Sequence, residues 1–149
     1  MSRGKRQSSP SEGPDALLSR ENVKLARRSM EAWNSGNVQA WLETLDPAVR
    51  MWLPQPDHGQ PPYKGHAGAR EFREALAGQW GHIWLRSESF HANGDKVLAV
   101  GQLEAHGKEN GLRLTTPAAW LVRVRERKIV AWRVYTDQNE ALKAAGLRE

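Results

Sequence analysis

The sequence predicts a mixed α+β domain, in which a cone-shaped, curved antiparallel sheet packs with N-terminal helices around one pocket. Two strand-length runs near the C-terminus, 112–125 and 129–136, are separated by a tight turn and followed by a short capped helix. The first third of the chain has apolar residues at helical spacing instead. Helices that precede a run of antiparallel strands are expected to cover one face of the resulting sheet.

The chain has the size and composition of one globular domain. Its 149 residues are 39% hydrophobic and 26% charged. Residues 1–16 are rich in serine, glycine, proline and charge, so we expect a disordered N-terminal tail before a single domain at 17–149. The lack of cysteine excludes disulfides, thiolate metal sites and a cysteine nucleophile. No apolar run approaches the ~20 residues that a membrane span needs, so we expect a cytoplasmic protein without a membrane partner.

Positive charge is concentrated at one place in the sequence. The net charge is +5, and a basic cluster straddles the turn between the last two predicted strands: Arg123, Arg125, Arg127, Lys128 and Arg133. We favour a solvated strand face over phosphate binding there, because no aromatic-flanked basic stripe or basic helix accompanies the cluster. Nucleic acid is therefore not an expected partner.

Two helices are predicted in quick succession after the tail. Ser19 is the predicted N-cap of the first helix, and Gly36 is expected to end it. Asn37 then caps a second helix, which Pro47 is expected to end.

The rest of the chain is predicted to be mostly strands. Asn93-Gly94-Asp95 indicates a tight hairpin turn, and Asp137 is expected to cap the terminal helix. The predicted segments are a strand at 49–53, a proline-rich loop at 54–62, a helix at 67–77 and strands at 83–91, 97–106, 112–125 and 129–136.

With these elements in place, the sequence resembles the SnoaL-like group of the nuclear-transport-factor-2-like superfamily, which also contains ketosteroid isomerases. The resemblance covers about residues 20–147. It implies the cone-shaped fold and a homodimer formed through the outer face of the sheet. Isomerases, cyclases, hydrolases and non-enzymatic binders share this scaffold. The segments that carry the resemblance are 29–37, 63–72, 93–97 and 135–147.

The residues that ketosteroid isomerases use for catalysis have no counterparts here. Those enzymes place a tyrosine on the first helix, a general-base aspartate at the end of the first strand and a second acid in the penultimate strand. The corresponding positions are Ser29, Leu53 and Trp120, and the run 112–125 contains no carboxylate. Proton abstraction next to a carbonyl needs a base and an oxyanion donor, so we do not expect this chemistry by the usual residues.

Strand alternation predicts a pocket walled by tryptophan. Trp120 and Val122 share one apolar face of their strand, and Val130, Trp132, Val134 and Thr136 share a face of the next. The alternative is that these indoles only fill the core. The predicted pocket residues are Trp33, Trp52, Leu53, Trp120, Val122, Trp132, Val134 and Thr136.

Two carboxylate–imidazole pairs are the candidate catalytic groups. Asp57 and His58 are adjacent in the proline-rich loop, and Glu104 and His106 lie two apart on a strand, so that both side chains point the same way. A carboxylate can orient an imidazole and raise its basicity. The alternative for each pair is an exposed loop or a solvated strand end. The five histidines have no spacing typical of a metal site, and no cofactor is expected.

These observations support a cofactor-independent isomerase, cyclase or hydrolase that acts on a small hydrophobic metabolite. The alternative is a non-catalytic ligand-binding or dimeric interaction module, which would use the same pocket without a working base. A nucleic-acid role ranks well behind both.

Overall fold

The computed structural model describes residues 14–54, 61–78, 80, 82–107 and 111–147. Most of the predicted tail at 1–16 lies outside these ranges, and its last three residues belong to α1. Asp57 and His58 lie wholly outside them. Within them the helices are α1 (Pro14–Ser35), α2 (Val38–Leu42), α3 (Gly65–Ala77) and α4 (Gln138–Ala144). The strands are β1 (Leu45–Trp52), β2 (Tyr63–Lys64), β3 (His82–Asn93), β4 (Lys96–His106), β5 (Arg113–Arg125) and β6 (Lys128–Tyr135).

The strands form one curved, unclosed six-stranded sheet in the order β2-β1-β6-β5-β4-β3. The α+β class with N-terminal helices is thus confirmed. Two features differ from the prediction: β1 pairs with β6 in parallel, and the two-residue strand β2 adds an edge beyond β1. Because β1 is separated from β6 by α3 and four further strands, its partner could not be inferred from a local turn.

The two faces of the sheet are covered by different helices. Trp120 lies opposite Val134 and Val122 opposite Trp132, and this inner face packs with α1, α2 and α3 into the main core. The outer face carries Leu98 and other residues that pack against α4 in a second apolar cluster. The sheet is therefore the middle layer of three.

The end of α1 covers the free edge of β3. The indole N–H of Trp33 donates to the Ile83 carbonyl at 2.7 Å. Asn34 donates to the Leu85 carbonyl at 3.0 Å and accepts from the Leu85 amide at 2.7 Å. These bonds satisfy edge groups that would otherwise be open to pairing with another chain.

The predicted caps are confirmed at two of three helices. Asn37 accepts from the Ala40 amide at 3.0 Å, and Asp137 accepts from two amides at the start of α4. The N-cap prediction for Ser19 was wrong, because α1 begins at Pro14 and Ser19 lies inside it. Proline suits the first turn of a helix, where its missing N–H has no partner to lose. Helix α2 ends at Leu42, before Pro47, which lies within β1.

A β-bulge interrupts the last strand. Arg123 pairs with Ala131 and Val124 with Ile129, which leaves Val130 between them. The prediction that Val130 shares a face with Trp132 was therefore wrong, since an extra residue shifts the alternation of side chains by one. Val130 lines a groove on the outer face instead.

Candidate active site at the edge of the sheet

Four aromatic rings form the centre of the main core. Trp33 stacks on Trp132 with ring centroids 6.3 Å apart, and Trp41 meets Trp33 edge-on at 5.0 Å and Trp132 at 5.9 Å. Phe72 completes the group 6.2 Å from Trp33. These three tryptophans and Trp120 are at most 2% exposed, so most of the wall predicted for the pocket is tightly packed.

Five buried side-chain nitrogen atoms have no hydrogen-bond partner in the described part of the chain. Four of them are N–H donors, which we call the buried donor set: Trp41 Nε1, Arg73 Nη1, Trp120 Nε1 and Trp132 Nε1; the fifth is His82 Nε2. Native structures leave few buried polar groups unpaired, and each such group costs roughly 1–3 kcal/mol. The indole of Trp33, in contrast, is satisfied by Ile83.

Arg73 places a guanidinium inside the aromatic cluster. Its guanidinium lies 4.4 Å from the ring centre of Trp33, and Nη2 donates to the Trp33 carbonyl at 3.0 Å. Burial lowers the pKa of Arg73, but a guanidinium remains a cation at neutral pH. The free Nη1 is therefore a charged donor without an acceptor in the described residues.

His82 is anchored next to Arg73. Its ring makes a hydrogen bond with the backbone of Asn34. Because Nε2 has no partner among the described residues, that bond is made by Nδ1, which donates to the carbonyl. Burial, followed by the charge of Arg73, lowers the pKa of His82. A neutral imidazole with Nδ1–H bonded leaves a lone pair on Nε2, as a general base requires.

An indole connects His82 to the predicted pair Glu104 and His106. The Trp84 ring lies 4.2 Å from the His82 ring and 4.3 Å from the His106 ring, centre to centre. His82 also pairs directly with His106 across β3 and β4. The two imidazoles thus flank one indole at the edge of the sheet.

Three basic side chains surround the carboxylate of Glu104. His106 Nε2 lies 2.8 Å from Glu104 Oε2, while Arg86 donates to Oε1 at 3.2 Å and Arg113 lies 3.9 Å away. The hydrogen bond from Arg86, followed by that from His106, lowers the pKa of Glu104. The pair has the predicted geometry, but strand alternation places it on the outer face, opposite the side of Trp120.

A cleft of about 270 Å³ between α1 and β3 adjoins these groups. Its lining includes Asn34, which holds His82, and Arg86, which holds Glu104. The remaining lining residues are Arg27, Met30, Glu31, Leu85, Ser87 and Phe90. The edge cleft therefore lies beside Asn34 and Arg86, the partners of His82 and Glu104, while neither imidazole lines it.

The structure divides the residues predicted for the pocket among three places. Trp52 lies on the outer face, where Arg133 covers its ring at 4.6 Å, and Thr136 is exposed beyond the end of β6. Leu53 is half-buried against the main core. Those that lie in the core itself are Trp33, Trp120, Val122, Trp132 and Val134.

Two further polar side chains, Ser29 and His66, have structural partners. The hydroxyl of Thr44 donates to the Trp41 carbonyl at 2.6 Å and so accepts from Ser29, 2.6 Å away. Ser29, at the position of the isomerase tyrosine, is therefore hydrogen-bonded within the core. His66 contacts the Leu45 carbonyl at 3.0 Å.

Sequence reasoning did not single out Arg73, His82 or Trp41. A signal for Arg73 was available, because it lies on the apolar stripe of α3 between Ala69 and Leu76, where a charged residue is unexpected. His82 had no such signal. Its role depends on a helix end about fifty residues earlier in the chain.

Neither a metal-binding cluster nor a membrane-spanning helix is present in the described ranges. There, no group of three or more histidine, aspartate or glutamate side chains could hold a metal ion. Among the described helices, none is long and apolar enough to cross a membrane.

The solved structures with the same fold include the following two. A SnoaL-like protein from Jannaschia sp. CCS1, proposed as a polyketide cyclase, is 19% identical with a TM-score of 0.69 over 92% of this chain and 97% of its own. TerC, co-crystallised with polyporic acid, is 20% identical with a TM-score of 0.68 over 85% and 98%. At such identities the likeness shows the fold alone.

A third structural relative is SalBIII, an epoxide hydrolase/cyclase-like enzyme with a role in pyran ring formation in the polyether salinomycin. It is 18% identical with a TM-score of 0.65, over 78% of this chain and 90% of its own. No curated protein matches the sequence. The family model for the SnoaL-like domain matches residues 26–132, and this chain therefore belongs to the SnoaL-like domain family.

Proposed function

We propose that this chain binds a small hydrophobic molecule that carries oxygen acceptors, and acts on it as a cofactor-independent isomerase, cyclase or hydrolase. The observation that carries the proposal is the buried donor set. Donors without acceptors inside an apolar core are suited to carbonyl, hydroxyl or carboxylate oxygens on a mainly apolar ligand. TerC and SalBIII support the same class of ligand by analogy of fold.

The groups at the sheet edge supply the two functions that such chemistry needs. Arg73 Nη1 is a charged donor for an oxygen that gains negative charge, and a preorganised donor is most effective where water is excluded. His82 Nε2, or His106 with Glu104 as its partner, takes or returns the proton. Asp57 and His58 remain candidates for the same role.

A ligand-binding module without turnover is the second candidate. It is favoured by the tight packing of Trp120 and Trp132 and by the outward direction of Glu104 and His106. In this case the donor set fixes a ligand that leaves unchanged. A dimeric interaction module would use the outer face of the sheet instead.

The first experiment is native mass spectrometry of the protein purified from its own host, followed by denaturation and identification of released molecules. Polyporic acid, the compound co-crystallised with TerC, is the first probe in a parallel titration followed by tryptophan fluorescence. A released or bound molecule with oxygen acceptors supports the proposal. If the purified protein carries no ligand and does not bind polyporic acid, the interaction module is the better assignment.

Matched tryptophan variants test the donor set. Trp120→Phe removes an unpartnered N–H, whereas Trp33→Phe removes an N–H that is bonded to Ile83. We expect Trp120→Phe to weaken ligand binding about tenfold, the effect of one lost hydrogen bond to a ligand. Unchanged affinity in Trp120→Phe would contradict a role for this donor.

Turnover is tested separately from binding. We expect His82→Asn or His106→Asn to abolish product formation while the bound ligand is still detected by native mass spectrometry. Ligand bound by the wild-type protein with no product over hours would assign the binding module. Full turnover in both variants would transfer the base role to His58.

A further inference from the structure

A second cavity lies on the outer face of the sheet, across β1, β6 and β5. It encloses about 320 Å³, and we call it the outer groove. Its lining residues are Asp46, Ala48, Arg50, Trp52, Arg123, Arg125, Val130 and Ala131. The buried donor set belongs to other parts of the structure, so this groove is independent of the proposed active site.

The outer groove is open at its centre because the central residue, Ala131, has a small side chain. Ala131 pairs with Arg123 on β5 and with Arg50 on β1, so an alanine separates two arginines in one row across three strands. Neighbouring strands are about 4.8 Å apart, which puts the two arginine backbones roughly 10 Å from one another. Val130 is the bulge residue next to this row. Two arginines thus flank a position in this row that holds only an alanine.

The groove has more positive than negative charge. Arg50, Arg123 and Arg125 line it, and Arg133 lies at its end over Trp52. Two carboxylates offset these four cations in part. Asp95 pairs with Arg123 at 3.0 Å, and Asp46 accepts from the amide of Ala48 at 2.8 Å. Like charges on adjacent strands are destabilising, so an anion in the groove would relieve their repulsion.

We infer that the outer groove is a binding site for a small organic phosphate, whose phosphate group lies over Ala131 between Arg50 and Arg123. Guanidinium groups bind phosphate through paired, charge-assisted hydrogen bonds. The volume of the groove matches a small molecule rather than a nucleic-acid strand. A second copy of this chain is the competing occupant, because the homodimer that the resemblance implies uses the same face of the sheet.

The test is isothermal titration of the full-length protein with inorganic phosphate, pyrophosphate and adenosine monophosphate at low salt. We expect the nucleotide to bind more tightly than inorganic phosphate, with affinity falling as salt is added. We expect Arg50→Gln to weaken binding about tenfold, the effect of one lost charge-assisted contact. Arg70→Gln is the control, since it removes an exposed arginine of α3 outside the groove.

Ala131→Leu is a second variant that keeps every arginine and fills the gap between Arg50 and Arg123. We expect it to reduce phosphate binding while the melting temperature stays near that of the wild type. Equal affinity in Arg50→Gln, Ala131→Leu and wild type would overturn the inference. Equal affinity for inorganic phosphate and the nucleotide would overturn the organic-phosphate assignment. A dimer in sedimentation velocity that dissociates in Arg50→Gln would assign the groove to a second copy instead.

Discussion

Arg73 and His82 each use one nitrogen to hold a backbone carbonyl and leave another buried without a partner in the described residues. The two carbonyls belong to consecutive residues, Trp33 and Asn34, in the last turn of α1. Cations and donors stabilise the carbonyl end of a helix, which explains the bonded nitrogen of each side chain. The unpaired nitrogen of each side chain has a cost that helix capping does not explain, and a catalytic role is one explanation for such a group.

Two tryptophan variants test the difference between a bonded and an unpartnered N–H through the free energy of unfolding. Both variants truncate a buried indole and leave a cavity, which lowers the free energy of unfolding. Trp33→Phe also leaves the Ile83 carbonyl at the sheet edge without its donor, whereas Trp120→Phe removes a donor that has no partner in the described structure. We therefore expect Trp33→Phe to lose about 1 kcal/mol more than Trp120→Phe. Urea denaturation of both variants checks this. A larger loss in Trp120→Phe than in Trp33→Phe would mean that the Trp120 N–H is satisfied in the native state.

The lowered pKa of His82 predicts a pH dependence of stability. The unfolded chain titrates near the ordinary value of 6.5 and binds the proton more tightly than the folded chain. Stability that is present above pH 6.5 is therefore lost as the pH falls from 6.5 toward the lower pKa of the folded state. We expect this slope in urea midpoints measured between pH 7.5 and pH 5.

His82→Asn is expected to flatten that slope. His91→Asn serves as the control, because it removes another imidazole of β3 that contacts Ser89 rather than α1. If His91→Asn flattens the slope and His82→Asn does not, His82 is not the group responsible.

Residue-level prediction succeeded where a residue acts through its own neighbours in sequence. The caps at Asn37 and Asp137 were readable because their acceptors bond amides two or three residues away. Trp52 was expected in the pocket, yet it points to the outer face because it alternates with Met51 along β1. The Arg73–His82 arrangement could not be predicted, because α1, α3 and β3 all contribute to it.

At the level of elements, five of the six strands were predicted, and most of their ends lie within two residues of the predicted ends. The pairing of the strands could be predicted only in part. Adjacent strands joined by short turns must pair in antiparallel fashion. The pairing of β1 with β6 depends on the whole chain, and the bulge at Val130 has no proline or glycine to mark it.

The β5–β6 turn is an element with local strain. Its two central residues, Glu126 and Arg127, have φ angles of +52° and +66°. Two-residue hairpin turns of this kind favour Asn-Gly, because other side chains are strained in the left-handed region. We expect Glu126→Asn with Arg127→Gly to raise the free energy of unfolding by about 1 kcal/mol or more, measured in urea. Replacement of Lys128 by glycine, one residue further on, should lower it. A double variant less stable than wild type would contradict the turn geometry.

At the scale of the whole molecule, the sheet separates two apolar clusters of unequal size. The large inner cluster holds the tryptophans, and the small outer one joins Leu98, Ala119 and Leu121 to Ala141 and Ala145 of α4. Because the clusters lie on opposite faces, α4 can be loosened without direct damage to the inner core. Its ends are also tied down, by the Asp137 cap and by Asn93, which donates to the Ala145 carbonyl at 2.8 Å.

Ala141→Asp tests this separation of layers. Ala141 is fully buried, and an unpaired carboxylate there is expected to cost about 3 kcal/mol or to release α4. Lys143→Asp, on the exposed side of the same helix, should cost under about 1 kcal/mol. Limited proteolysis and binding of an apolar dye to Leu98 and Leu121 would report release of α4. If the layers are independent, Ala141→Asp keeps the near-ultraviolet circular dichroism of the buried tryptophans while α4 becomes cleavable. Loss of both signals together would mean that α4 and the inner core unfold as one unit.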